Sequence, residues 1–441
     1  MAFMNYTLQG HDYYYAVDQT AAALQLDDGV YSSLSVGDVW ATAVCNYKGF
    51  RGIARWKTEG LNDSTAQRII KTSIYRAVRA SGMQRPPWGA LTGVRPGKLM
   101  RQIMNPALFE KEYDVTPERA LLCYETSLYT ENTCKLLQGD DVCLYVGVPF
   151  CPTRCTYCSF VSQSVEKSMS LIEPFVEALF REIDRSEIKG RIAAIYFGGG
   201  TPTTLSAAQL DALCCRLEEK FDLSHHPEFT VEAGRPDTIT EEKLKVLKAH
   251  HVTRVSVNPQ TMRDEVLEAI GRRHSAQDIR QALDTVRKVG GFDVNTDLIA
   301  GLPSDSLEGF RYTVDEVIAM APENITVHTL SLKNGSSITL NKTELPSAEE
   351  VGLMLDYAYE KLRSAGYAPY YLYRQKNMSG GFENTGWTKP GHENIYNICM
   401  MEELCSIYAF GAGGSSKIIE NGKITRKVNP KYPLEYIKKY V

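Results

Sequence analysis

Six short apolar runs recur through the middle of the chain, at 144–148, 193–197, 229–231, 254–257, 294–299 and 325–330, rich in β-branched and aromatic residues. Between them lie helical patterns. Phe175, Val176, Leu179, Phe180 and Ile183 follow i, i+3, i+4 spacing, and so do Leu210, Leu213, Leu217 and Phe221. Parallel strands cannot be joined by a tight hairpin and need a crossover, usually a helix. The alternation therefore predicts an α/β fold built on a parallel sheet. Six such units predict a partial (β/α)6 barrel, a three-quarter version of the eightfold TIM-like form. On this reading residues 1–137 form an N-terminal α/β domain, 138–335 the barrel core and 336–441 a C-terminal cap. In the first of these a strand is expected at 39–45 and helices at 66–81 and 118–128.

Directly after the first run comes Cys151-Pro-Thr-Arg-Cys155-Thr-Tyr-Cys158, three thiols at a C-x3-C-x2-C spacing. Thiolates are soft ligands that favour iron–sulfur clusters, zinc or copper(I). An ordinary four-iron cluster takes four cysteines and a structural zinc site four ligands, so three close thiolates leave one metal position open. A local fourth ligand would fall two residues past Cys158, where Phe160 stands. A zinc site completed from a distance is the alternative on these residues alone. The remaining cysteines are scattered, and a total of 11 is odd. That excludes a disulfide framework and suits a reducing cytoplasm. Cys214 and Cys215 read as small core residues of a helix. Cys399 and Cys405, six apart and poorly placed to share a metal on one helix face, are given no role. A formal charge of −4 argues against a nucleic-acid or acidic-membrane binder. No apolar run reaches the ~18 residues of a transmembrane helix, and the N-terminus has no signal-peptide pattern.

The polar residues that interrupt this scaffold fall at one set of places. The cysteine loop follows the first run, Gly198-Gly-Gly-Thr-Pro-Thr203 follows the second, and Glu232 closes the third. Gln260 follows the fourth, Asp297 sits late in the fifth and His328 in the sixth. These are the C-terminal ends of strands, where barrel enzymes build their active sites. The glycines let backbone approach a ligand closely, and Pro202 pre-sets the turn into the next helix.

The cysteine triplet with Tyr157 before its last thiol, followed by Tyr196-Phe-Gly-Gly-Gly-Thr-Pro-Thr203, resembles the radical S-adenosylmethionine (SAM) superfamily. More narrowly, it resembles the oxygen-independent coproporphyrinogen III oxidase/dehydrogenase family. Trp88-Gly-Ala-Leu-Thr-Gly-Val-Arg-Pro96, Tyr373-Arg-Gln-Lys-Asn-Met378 and His392-Glu-Asn-Ile-Tyr396 resemble its HemZ-like subgroup, against which the chain stops somewhat early. The resemblance implies that Cys151, Cys155 and Cys158 hold a [4Fe-4S] cluster whose open iron is chelated by SAM. It places Tyr145 and Tyr157 beside the cluster and the methionine end of SAM, and Gly199, Gly200 and Thr201 along the amino-acid moiety. Glu232, Gln260, Arg272 and Asp297 match SAM contacts, and Thr329 a position near the adenine. Tyr145, Glu232 and Asp297 are the catalytic candidates. The implied reaction is oxidative decarboxylation in haem biosynthesis, started by an electron from a donor such as flavodoxin or ferredoxin. A 5′-deoxyadenosyl radical takes a hydrogen from a propionate β-carbon, and loss of CO2 and one more electron leaves a vinyl group. Two rounds convert coproporphyrinogen III to protoporphyrinogen IX. The substrate's four carboxylates call for arginines, for which Arg273, Arg374 and Arg95 are candidates.

Two features weigh against the dehydrogenase reading. Phe160 stands where the dehydrogenases carry a further cysteine and matches the haem chaperones of the same branch. The chaperones' C-terminal His-Asn-x-x-Tyr-Trp is represented only by His392 and Tyr396. The alternatives to the dehydrogenase are thus a haem-binding chaperone, with haem as a further cofactor, and a radical SAM enzyme acting on haem or another small molecule.

Overall fold

The computed structural model describes residues 6–24, 26–27, 29–93, 95–158, 163–331, 344–375 and 379–441. Phe160 and the 376–378 part of the Tyr373 motif lie outside them. The chain divides into two compact units, Met1–Tyr124 with Arg374–Asn377, and Glu125–Tyr373 with Met378–Val441.

The first unit carries a four-stranded sheet, β1 (Tyr6–Gln9), β2 (Val30–Val36), β3 (Trp40–Tyr47) and β4 (Phe50–Lys57), in that order. β1 pairs parallel with β2, and the other pairs are antiparallel. A helix, Asp63–Ala80, starts at a capping box between Asn62 and Thr65 and buries Ile69, Ile70 and Ile74 against the sheet. Gly52 permits that packing, because a Cβ there would lie 2.0 Å from the carbonyl oxygen of Ser73. The expected strand at 39–45 and helix at 66–81 are these β3 and Asp63–Ala80 elements.

The second unit is organised by one large sheet. Its parallel centre is β5 (Val142–Val148), β8 (Ile192–Gly199), β9 (Glu228–Glu232), β10 (Arg254–Ser256), β11 (Asp293–Ala300) and β12 (Asn324–Thr329), side by side in sequence order. A two-residue pair, β6 (Phe150–Cys151) and β7 (Gln163–Ser164), stands apart. The six central strands are the six apolar runs. Amphipathic helices join them: Ile172–Asp184 buries Phe175, Val176, Leu179 and Ile183, and Ala207–Lys220 buries Leu210, Leu213 and Leu217. The later strands extend the same sheet at both edges. β14 (Asn384–Thr388) runs antiparallel beside β12, with β13 (Ala368–Tyr373) outside it. β15 (Ser406–Gly411) lies parallel to β5, and β16 (Ser415–Glu420) and β17 (Lys423–Val428) follow antiparallel. Trp387 of β14 is fully buried under the Arg363 guanidinium.

Two polar knots tie the C-terminal segments to this sheet. At the N-terminal ends of the strands the buried Arg254 donates to Glu228, Asp293, Asn324 and the His392 carbonyl. Glu228 in turn accepts the free N–H groups of Ile395 and Tyr396, which open the helix Ile395–Glu402. On the outer face the Glu182 carboxylate accepts from Gly411, Asn429, Tyr436 and Tyr440, at distances from 2.5 to 2.8 Å.

Candidate active site

The glycine triplet shapes the end of β8 through close backbone contact. Gly199 has φ +102°, and a Cβ on Gly200 would sit 2.4 Å from the Phe150 carbonyl oxygen. The Gly200 and Thr201 N–H groups bond the Val148 and Phe150 carbonyls, each at 2.7 Å. The glycines therefore bring the start of the cysteine loop flush against β8, and these two peptide N–H groups are spent on protein rather than left for a ligand. Thr201, buried, donates to Cys151 Sγ at 3.6 Å.

From the other side the segment after Ile270 cradles the loop. Thr156 N–H bonds the Ile270 carbonyl, and Thr153 Oγ1 donates to the Gly271 carbonyl. Arg272 reaches the carbonyls of Asn258 (2.6 Å) and Gly234 (3.3 Å) and donates to Tyr157 Oη at 3.2 Å. Arg235 bonds Thr153 through its second terminal nitrogen at 3.0 Å and approaches Cys155 Sγ at 3.9 Å through the first. Two guanidinium groups thus flank the thiols, which suits a cluster of thiolates carrying negative charge. Tyr157 also packs on an apolar wall of Val266, Leu267, Ile270, Ile299, Leu302 and Leu330.

Glu232, Asp297 and His328 meet at the strand ends. Tyr196 Oη donates to Glu232 Oε1 at 2.6 Å. Burial pushes the Glu232 carboxyl up to about 7, with the Tyr196 hydrogen bond opposing and the Asp297 charge adding. Asp297 accepts from Asn295 at 2.9 Å and lies 3.8 Å from His328 Nε2. Burial would raise it, but His328, Asn295 and Thr326 outweigh that and hold it below the ordinary aspartate range. One of this pair is thus poised to carry a proton near neutrality while the other stays ionised. Gln260 is held at φ +68°, its N–H on the Asp297 carbonyl and its own carbonyl on Ile299 N–H. Outside glycine that conformation is uncommon and strained, and it persists only where the surroundings fix it.

Several other expected residues are placed differently. Both polar groups of Thr329 are taken, the N–H by Asn384 and the hydroxyl by the Glu383 carbonyl. Arg273 forms an exposed ion pair with Glu166. Arg374 belongs to the first unit, where it bonds the Leu91 carbonyl and covers the Trp88 ring. His392 bonds Asp293, the first residue of β11, at the opposite strand ends from Asp297. Sequence reasoning passed over Tyr196, Arg235 and Asn258. Alternation could have found Tyr196, two residues before Gly198 and so on the same face of β8. Nothing in the sequence distinguishes Arg235 from a turn residue.

The chemistry of the site fits a thiolate-bound cofactor with a polar ligand beside it. Thr156 Oγ1, Asn258 Oδ1 and Arg272 Nε are buried with no hydrogen-bond partner among the described residues. A native protein rarely leaves such a group of atoms unsatisfied without something to meet them.

The Radical SAM superfamily profile matches residues 145–317. The chain is 39% identical over 380 residues to the oxygen-independent coproporphyrinogen-III oxidase-like protein HemZ of Bacillus subtilis, covering 80% of this chain and 74% of that protein. It is 30% identical to the heme chaperone HemW of Lactococcus lactis over 62% of this chain and 68% of that one. Among solved structures it resembles the radical SAM coproporphyrinogen III oxidase HemN of Escherichia coli, with a TM-score of 0.57 and 23% identity. That match covers 71% of this chain and 72% of that one.

Proposed function

We propose a function from one premise: the chain belongs to the radical SAM superfamily, in the branch of the oxygen-independent coproporphyrinogen III oxidase-like protein HemZ. Members of that superfamily use a [4Fe-4S] cluster and SAM. In our reading Cys151, Cys155 and Cys158 hold the cluster, and Asn258 and Arg272, with their unpartnered buried atoms, face the SAM molecule beside it. Glu232, Gln260 and Asp297 complete the polar wall, with Tyr145 and Tyr157 as its aromatic sides.

The reaction we assign is oxidative decarboxylation of porphyrinogen propionates to vinyl groups, with coproporphyrinogen III as substrate and a flavodoxin- or ferredoxin-like electron donor. Cluster and SAM, when bound, supply the 5′-deoxyadenosyl radical that removes hydrogen. The protein's share is orientation and exclusion of water. Arg272 fixes the Tyr157 ring and the Asn258 and Gly234 carbonyls around the loop. Gly198 leaves open the space between Tyr145, Tyr196 and Glu232, where a Cβ would press on all three. Glu232, held near neutrality and steadied by Tyr196, can keep or release a proton beside an ammonium or carboxylate ligand.

The observation that favours turnover over haem delivery is the position of His392. This residue, the chain's counterpart of the chaperone histidine, bonds Asp293 at the far ends of the strands from the cysteine loop. The test is anaerobic: cluster-reconstituted protein with SAM, a strong reductant and coproporphyrinogen III, products followed by HPLC beside a haem titration. Vinyl porphyrin is expected from the wild type and none from Cys155→Ala. SAM cleavage without vinyl product would overturn the substrate assignment. Stoichiometric haem binding without turnover would favour the chaperone reading.

A further inference from the structure

A second set of three thiols meets inside the protein, away from the cysteine loop. Cys143, the second residue of β5, points to the same place as Cys399 of the helix Ile395–Glu402 and Cys405 just before β15. All three sulfurs lie within 4.8 Å of one another, and Cys143 and Cys405 are 3.6 Å apart. The expectation that Cys399 and Cys405 have nothing to share is therefore corrected. Their separation does not suit one helix face, but the chain leaves the helix between them and β5 supplies the third member.

The environment is that of a built site. Cys143 and Cys399 are fully buried and Cys405 nearly so, in a cluster with Leu137, Ile395, Met400 and Ile407. Tyr396 belongs to the same cluster, and its hydroxyl is buried without a partner among the described residues. Its ring stacks on Tyr196 at 4.5 Å, so the tyrosines stand between this group and Glu232. No carboxylate or imidazole among the described residues completes the group of three. A cavity of about 670 Å³ lined by Leu137, Asp140, Asp141, Leu404 and Cys405 reaches the third thiol.

We propose that Cys143, Cys399 and Cys405 bind one closed-shell thiophilic ion, copper(I) or zinc(II). Two thiols would suffice for a disulfide, whereas three converging sulfurs describe a coordination shell. Metal–sulfur bonds of about 2.3 Å put thiolates about 4 Å apart, which the 3.6 Å between Cys143 and Cys405 and the 4.8 Å limit on all three pairs accommodate. Soft sulfur donors without oxygen or imidazole select copper(I) or zinc over harder cations. The bound cation also supplies the charge that thiolates in an apolar pocket require. Copper(I) is satisfied by three thiolates and needs no fourth ligand. The cavity beside Cys405 gives the ion its way in.

The test uses the full chain with its iron–sulfur cluster reconstituted. The protein is titrated anaerobically with Zn(II) and, in a second arm, with Cu(I), then desalted for metal analysis and X-ray absorption at the edge of the added metal. One retained ion per chain with sulfur neighbours at about 2.3 Å is expected. Cys143→Ala and Cys399→Ala should each weaken retention about tenfold or more while iron content stays constant. Retention unchanged in both variants would overturn the proposal, as would an ion ligated only by oxygen and nitrogen. Should a variant fail to fold, the wild-type absorption spectrum decides, and failure of that spectrum to show sulfur ligation counts against the site.

Discussion

Tyr196 donates its hydroxyl hydrogen to Glu232 across 2.6 Å, and the two residues sit on neighbouring parallel strands near their C-terminal ends. The pairing leaves a buried acid close to its point of titration at neutral pH. Burial is the dominant influence, raising the carboxyl from its ordinary 4.5 to about 7. Between those values the folded protein holds a proton that the unfolded chain has released. Stability should therefore be greatest below the lower value and fall as pH rises through the window, by ~3 kcal/mol in all. Melting of the SAM-free protein between pH 5 and pH 8 measures it, and Glu232→Gln should flatten the slope. An unchanged slope in that variant would assign the pH dependence to other groups.

Gly200→Ala should be far worse than a glycine replacement elsewhere in the same unit. Its Cβ would collide with the Phe150 carbonyl at 2.4 Å, pushing the cysteine loop off β8. A loss of about 2–4 kcal/mol and poor iron incorporation are expected. Gly413→Ala, at φ +73° with open space around it, should cost about 1 kcal/mol and leave iron content alone. Equal iron content in both variants would contradict the packing role of Gly200.

Arg272→Lys keeps the charge and loses the fork. A lysine cannot hold the Asn258 and Gly234 carbonyls and the Tyr157 hydroxyl together. Stability should drop by about 1–3 kcal/mol, and SAM affinity, measured by calorimetry on cluster-loaded protein, should weaken. Tyr157→Phe removes one of those three bonds and should fall between the wild type and Arg272→Lys.

Glu182→Gln tests the knot on the outer face. Four donors converge on this carboxylate, and an amide must turn its own NH2 toward one of them. Losing charge-assisted bonds in a buried site is expected to cost about 2 kcal/mol, read as a lower denaturant midpoint by circular dichroism. The cysteine loop should keep its iron.

The barrel was legible because its strands are buried on both faces, so that each reads as an unbroken apolar run bounded by helical periodicity. The six runs match β5 and β8 to β12 within two residues at every end. The cysteine loop was legible because its three thiols lie within eight residues. What the sequence concealed depends on partners far apart in the chain. Arg235 lies next to Cys155 only because two loops fold over one another, and its sequence context is that of any turn. The thiols of Cys143 and Cys405 are separated by 262 positions, and only the parallel pairing of β15 with β5 brings them together. The glycine triplet was located correctly, but its reason is backbone packing against Phe150 as much as room for a ligand.

Trp387 carries a practical consequence. The chain's other tryptophans, Trp40, Trp56 and Trp88, all fall in the first unit, which leaves this indole as the sole one in the unit that holds the cysteine loop. It is sealed in β14 beside β12, so its emission should be blue-shifted while the sheet is intact and move red when that sheet opens. A protein in which Trp40, Trp56 and Trp88 are replaced by phenylalanine would carry a single native fluorophore for the barrel, reporting its integrity with no attached dye.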